Sequence, residues 1–218
     1  MKNIIKDTII LLVITLVSGV SLGYVFNITK DARANQEDNT KAQAYKTVFP
    51  DAKNFAASKI KDFDKINSYI SKIDKEAHSN DSDYPNAPIN ASIDEIVEAR
   101  DGSGKCIGYV ITVTDNEAYG GKITFSVGIG NDKTIYGISF LSINETPGLG
   151  MRAKEDSFIN QFKNKKIDYV KYSKSGATSE NEIDALSGAT ITTNAVTNGT
   201  NAAVYCFDYI SNGGGENE

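Results

Sequence analysis

Few residues in this chain are equipped for acid–base or nucleophilic chemistry. It has one histidine, His78, and two cysteines, Cys106 and Cys206. Nucleophilic catalysis by serine or cysteine needs an imidazole within reach. His78 opens a run of turn-forming residues that ends at Pro88, and a solvated surface histidine is the expected state there. The cysteines are far apart in sequence and form no C-x-x-C pair, so the four ligands of a zinc site of the usual Cys/His kind are not found. Each sits in an apolar stretch, where cysteine behaves as a small buried hydrophobe; a disulfide between them stays open if the domain lies outside the cell. No G-x-S-x-G, phosphate-binding G-x-x-x-x-G-K-[ST] or H-E-x-x-H is present, and no spacing singles out a pair of carboxylates. No catalytic residue and no metal ligand is therefore expected.

One segment remains with the chemistry of a ligand site. Asp184-Ala185-Leu186-Ser187-Gly188-Ala189-Thr190 places small residues and a hydroxyl just before a helical pattern. Free N–H groups and the helix dipole favour an anion at such an end. Gly188 allows close backbone approach, and Thr190 sets a hydroxyl in that field. The plainer alternative is an ordinary helix cap by Ser187 or Asp184. A second Ser-Gly-Ala-Thr occurs upstream at Ser175-Gly176-Ala177-Thr178, with Tyr172 where the later copy has Asp184, and no apolar helix pattern follows it. Thr192 and Thr193 supply further hydroxyls. Glu145-Thr146-Pro147-Gly148-Leu149-Gly150 has the composition of a tight loop.

These segments need a scaffold. Residues 30–47 read as a polar helical stalk closed by Pro50, and 53–77 carry apolar residues at spacings of three and four, an amphipathic helical pattern in one or two pieces. From Ala91 the pattern changes to short β-branched and aromatic runs, 106–114, 123–129 and 134–143, separated by turns such as Asp101–Gly104, Tyr119–Gly121 and Gly130–Asp132. Strands at that spacing read as an antiparallel meander. Residues 154–164 read as helical, 169–172 as a short strand, and 191–210 as a helix with Val196, Ala203, Val204 and Phe207 inward. The expected fold class is α+β: a twisted antiparallel sheet with packed helices, behind a single N-terminal transmembrane helix.

That helix is the uncharged run from Thr8 to Ile28, long enough for the about 20 residues that cross a bilayer. A cleaved signal peptide is the rival. The run exceeds a usual signal core and ends in Tyr24-Val25-Phe26 rather than a small-x-small site, which favours an anchor with Tyr24 and Phe26 at the interface. Lys2 and Lys6 before it, and Lys30, Arg33 and Lys41 after it, leave orientation open. The hydrophobic content of 40% supports a packed core, and the net charge of −5 argues against a nucleic-acid partner.

Asp184, Ser187, Gly188, Ala189 and Thr190 together resemble the flavinylation motif of the FMN-binding domain family. That family is shared by the G subunit of the Rnf ferredoxin:NAD oxidoreductase and the C subunit of the sodium-pumping NADH:quinone oxidoreductase. Glu145–Gly150 resembles a second hallmark, and Tyr119-Gly120-Gly121 before Val127-Gly128-Ile129 a third. The likeness runs from about Gly108 to the final helix. It implies FMN bound covalently through a phosphoester to Thr190, in preference to Thr178. Asp184, Ser187, Gly188 and Ala189 would then serve attachment, and Glu145, Thr146, Gly148 and Leu149 would line the flavin. Related chains often carry His two residues before this glutamate; here that position is Ile143. The implied organisation is a cytoplasmic N-terminus 1–7, a membrane span 8–28, a membrane-proximal helical segment 29–90, an FMN-binding domain 91–211 and a flexible tail 212–218. A protein of this kind relays electrons without independent catalysis. Its implied partners are the other membrane subunits and a flavin transferase that works outside the cytoplasm with FAD as donor. The resemblance thus implies a single-pass cell-membrane protein with an extracytoplasmic soluble domain. The compact length favours the Rnf-type G subunit over the quinone-reductase C subunit. An extracytoplasmic binding domain without flavin is the alternative of another class.

Overall fold

The computed structural model describes residues 2–80 and 88–214, with side chains from 4 to 76 and from 88 onward. The chain forms two compact units, Met1–Ala42 and Gln43–Glu218. Helix α1 runs Lys2–Val48. It holds an apolar window of mean hydropathy 2.4, none of it buried, so it is long and apolar enough to cross a membrane. At the end of the apolar run the Arg33 guanidinium lies 4.4 Å over the Phe26 ring and donates to the Phe26 carbonyl at 3.1 Å. Arginine at a membrane boundary commonly spreads its stem along apolar surface in this way.

The second unit is built on a six-stranded antiparallel sheet in sequence order: β1 (Asn54–Ala57), β2 (Ala91–Arg100), β3 (Cys106–Ala118), β4 (Gly121–Gly130), β5 (Thr134–Ser142) and β6 (Lys165–Lys166). The α+β class and the meander are as the sequence implies. Alternation sends Ile111, Val113, Ile123, Phe125 and Val127 to the larger core and Val97, Ala99 and Val110 to a smaller one, where they meet Val48 and Phe49. Helix α2 (Phe63–Asn80) and helix α4 (Thr190–Ser211) pack on the larger core, Tyr69 against Tyr209 with ring centroids 5.4 Å apart. Every residue of α4 from Ala195 to Phe207 is buried, so the helix has no solvent face along that stretch, where four inward residues were expected. Its buried threonines stay satisfied by donating to carbonyls four residues back, Thr197 to Thr193 and Thr200 to Val196, both at 2.8 Å.

Three expectations are corrected. The first part of the 53–77 pattern is strand β1, whose residues pair with Val97–Arg100; ladder bonds along the sheet edge outweigh its helical spacing. β1 and α2 belong to the same compact unit as the sheet. Residues 154–164 form no single helix but a 3-10 turn (Gly150–Lys154), a four-residue helix α3 (Asp156–Ile159) and another 3-10 turn (Asn160–Phe162). Ala153, Phe158 and Phe162 are all buried, and the five-residue step from 153 to 158 drifts off one helical face; extended Glu155 breaks the helix and restores the alignment. The turn-rich segment starts later than its composition suggests, because α2 carries the backbone through Asn80. Its remainder, the His78 side chain and tail residues 215–218 lie outside the described residues. β7 (Lys171–Ser173) and β8 (Glu182–Asp184) form a separate parallel pair that the sequence patterns only half showed. Both cysteines are free; Cys206 is buried, which pushes its thiol up to about 12.

Asp115 on β3 is 1% exposed and burial pushes its carboxyl up to about 6; the Glu117 N–H, donating at 2.9 Å, offsets part of that and the Glu117 charge adds to it. The unfolded group titrates near 3.9. Between about pH 4 and 6 the folded chain therefore keeps a proton that the unfolded chain has lost, and stability falls as pH rises through that window. Asp115→Asn is expected to raise stability at pH 7.5 by about 2–3 kcal/mol, and by much less at pH 4. Urea denaturation of both proteins at the two pH values checks this; an equal difference at both would count against it.

Candidate functional site

α4 starts at Thr190, and the residue before it, Ala189, holds the capping position without any side-chain cap. The simple-cap reading is thereby disfavoured: neither Ser187 nor Asp184 serves this end. Ser187 is exposed, and the Asp184 carboxylate accepts the Ala177 N–H at 2.6 Å instead. The first-turn N–H groups of α4 therefore have no side-chain cap. A tight turn leads in, closed by the Ala189 N–H to the Leu186 carbonyl at 3.0 Å. Gly188 has φ +76° in that turn, a conformation that favours glycine, and a Cβ there would lie 3.2 Å from Leu149 Cδ2. The Thr193 hydroxyl braces the turn, accepting from the Leu186 N–H at 3.0 Å and donating to the Ala189 carbonyl at 2.9 Å.

A cavity of about 490 Å3 opens at this helix end, within the roughly 300–1,000 Å3 of small-molecule sites. Its buried lining includes Glu145, Gly150 and Thr192. Its exposed lining carries three large apolar side chains, Tyr119 at 70%, Ile191 at 51% and Leu149 at 43% exposed, beside Thr146 and Gly188. Thr190 is half-buried between the two, and among the described residues its hydroxyl makes no hydrogen bond within the chain. The neighbouring hydroxyls are committed, Thr193 as above and Thr192 to Glu145.

Glu145 is 7% exposed. One carboxylate oxygen accepts the Gly120 N–H at 2.9 Å and the other accepts the Thr192 hydroxyl at 3.0 Å. The carboxylate therefore joins the turn between β3 and β4, the 145–150 loop and the first turn of α4. Gly150 completes the junction by close approach: a Cβ there would sit 2.5 Å from Glu145 Oε2 and 2.6 Å from Thr192 Oγ1.

The second Ser-Gly-Ala-Thr has a different setting. It lies in the loop between β7 and β8, and Thr178 donates both its N–H and its hydroxyl to Glu182 Oε2, at 2.7 and 3.0 Å. Those donations, the backbone one foremost, hold the Glu182 carboxyl below the usual carboxylate range. Thr178 thus lacks both the helix end and the unengaged hydroxyl of Thr190.

The structure brings Thr190, Gly188, Ala189, Glu145, Thr146 and Leu149 together around the cavity and leaves Asp184, Ser187 and Gly148 outside its lining. Asp184 supports from behind: the Gln161 side chain accepts its N–H at 2.6 Å while its carboxylate holds the upstream loop. Tyr119, Gly150, Ile191 and Thr192 are lining residues that the motifs did not single out as site residues. Tyr119 and Gly150 were within reach, standing inside two of the quoted motifs. Thr192 was named only as a nearby hydroxyl, and Ile191 becomes visible only once the helix start is placed.

The FMN-binding domain family matches residues 118–205. The G subunit of the Na(+)-translocating ferredoxin:NAD(+) oxidoreductase complex of Acetobacterium woodii is 30% identical over 217 residues, covering 96% of this chain and 94% of that protein. The G subunit of the proton-translocating complex of Clostridium ljungdahlii is 44% identical over 100 residues, 46% of this chain and 53% of that protein, so here the chain matches about half of the relative's length. Among solved structures, the C subunit of the Na(+)-translocating NADH-quinone reductase of Parabacteroides distasonis aligns with a TM-score of 0.44 at 28% identity, over 53% of this chain and 60% of that one.

Proposed function

This chain belongs to the family of G subunits of ion-translocating ferredoxin:NAD(+) oxidoreductase complexes, and we propose that it relays electrons through FMN held covalently on Thr190. The observation that carries the site is the Thr190 hydroxyl, unengaged at the uncapped start of α4 beside the cavity. The residues present fit the group. The uncapped helix end suits its phosphate, Gly188 makes room for close approach, and Leu149, Ile191 and Tyr119 offer apolar surface to its ring. When bound, FMN supplies one- and two-electron transfer.

In attachment, Thr190 Oγ forms the new bond to the flavin phosphate of FAD, the phosphoanhydride breaks, AMP leaves, and the hydroxyl proton passes to a base of the transferase. The chain itself needs no acid or base, in keeping with its single histidine. A tethered carrier suits a domain on the extracytoplasmic side, with Lys2 and Lys6 inside and the apolar run of α1 as the anchor. The partners are then the other membrane subunits of the complex and, for maturation, the flavin transferase.

The test is intact-mass and peptide mass spectrometry of the denatured chain after coexpression with an FAD-dependent flavin transferase. FMN on the peptide that contains Asp184–Thr190 supports the proposal. A chain without covalent flavin would overturn it.

A further inference from the structure

We propose that Glu145 is a positioning residue for flavin attachment, rather than a flavin ligand. It clips the β3–β4 turn to the first turn of α4 and so sets where Thr190 stands; this rests on the attachment proposed above. Burying a carboxylate is costly unless it is hydrogen-bonded. Here each oxygen meets a donor of the chain's own, the Gly120 N–H at 2.9 Å and the Thr192 hydroxyl at 3.0 Å. The two donors come from segments more than seventy positions apart in sequence, and Glu145 stands on a third. Gly150 leaves room for this pair and for nothing larger than a hydrogen.

The consequence for Thr190 follows from helix geometry. Two residues along an α-helix correspond to about 200° of rotation. Seating Thr192 inward against Glu145, next to buried Thr193, therefore fixes the rotation of the first turn and leaves Thr190 half-buried beside the cavity, with its hydroxyl unengaged among the described residues. A negative group at the helix start is also favourable to the helix itself. Without the clip the first turn frays, and the hydroxyl is no longer held where the transferase meets it.

The test compares the full chain with Glu145→Ala, Glu145→Gln, Thr192→Val and Thr192→Ser. Two quantities are read: the rate at which FMN appears on Thr190 with the transferase, and amide exchange at the start of α4 in the unmodified chain. Glu145→Ala and Thr192→Val are expected to slow attachment and speed exchange by at least about tenfold, which corresponds to one ordinary hydrogen bond. Glu145→Gln is expected to restore both, since its carbonyl accepts from Gly120 and its amide donates to Thr192 Oγ1. Thr192→Ser, which keeps the hydroxyl, should behave like the wild type. Where Glu145→Ala fails to fold, Thr192→Val and its serine counterpart decide. Wild-type attachment rates in folded Glu145→Ala and Thr192→Val would overturn the proposal, as would a folded Glu145→Gln as slow as the alanine variant. A wild-type chain that takes no FMN at all would overturn the attachment on which it rests, a different outcome from either.

Discussion

Thr190→Ala is expected to abolish covalent FMN, while Thr178→Ala keeps it in full. The contrast comes from the two local structures rather than from the shared four-residue motif. Thr190 is the first residue of a 22-residue helix, with no side-chain cap in front of it. Thr178 is in a loop with its hydroxyl donated to Glu182. Nearby threonines cannot stand in for Thr190, because Thr192 and Thr193 are buried and their hydroxyls are bonded. Thr190→Ser, which retains the hydroxyl, should still accept the flavin. Since the Thr190 side chain forms no hydrogen bond among the described residues, its loss should change stability by only about 0.5 kcal/mol. Flavin fluorescence of the denatured proteins, with peptide mapping and thermal melting, separates these outcomes. FMN retained in Thr190→Ala would place the attachment elsewhere.

Asn201→Ala should be among the most destabilising single changes in the chain, at about 2–5 kcal/mol. Asn201 is fully buried in the middle of α4. Its amide oxygen accepts the Val170 N–H at 2.6 Å and its amide nitrogen donates to the Val170 carbonyl at 2.8 Å. A buried side chain thus takes the place of a partner strand for buried Val170. Removing it deprives two backbone groups of these bonds, each worth about 1–3 kcal/mol when left unmet in the interior, and opens a small cavity besides. Total stability is about 5–15 kcal/mol for a domain of this kind. The effect should be read as a lower urea midpoint at an unchanged slope. A cost below about 1 kcal/mol would mean that other groups take over the bonds to Val170. Attachment of FMN should persist wherever the variant folds, since Val170 is no part of the cavity lining.

Both predictions depend on packing that single segments do not announce. Asparagine inside a helix pattern reads as a weak helix former, and only the arrival of Val170 from a separate segment explains it. In the same way, 53–57 carries a helical spacing that the edge of β2 overrides, and 154–164 breaks because Ala153, Phe158 and Phe162 must reach one core. Glu145 reads as a loop carboxylate next to proline and glycine. Its two donors come from remote stretches of the chain, and no local pattern pairs them.

Local stretches of the chain were enough for the long apolar helix and the meander of β-strands, while Thr190 came forward only through the resemblance of its motif to a family. Each is a short-range matter: the length of an apolar run, a period of two, a contiguous motif before a helix. The folded arrangement was needed to show that the helix start is uncapped and that Thr192 and Thr193 are spent. It also revealed that Asp184 holds the upstream loop and that Glu145 joins three segments beside the cavity. Those facts are hydrogen bonds and close contacts, those of Glu145 between residues distant in sequence, and they exist only once the sheet and α4 have brought them within reach.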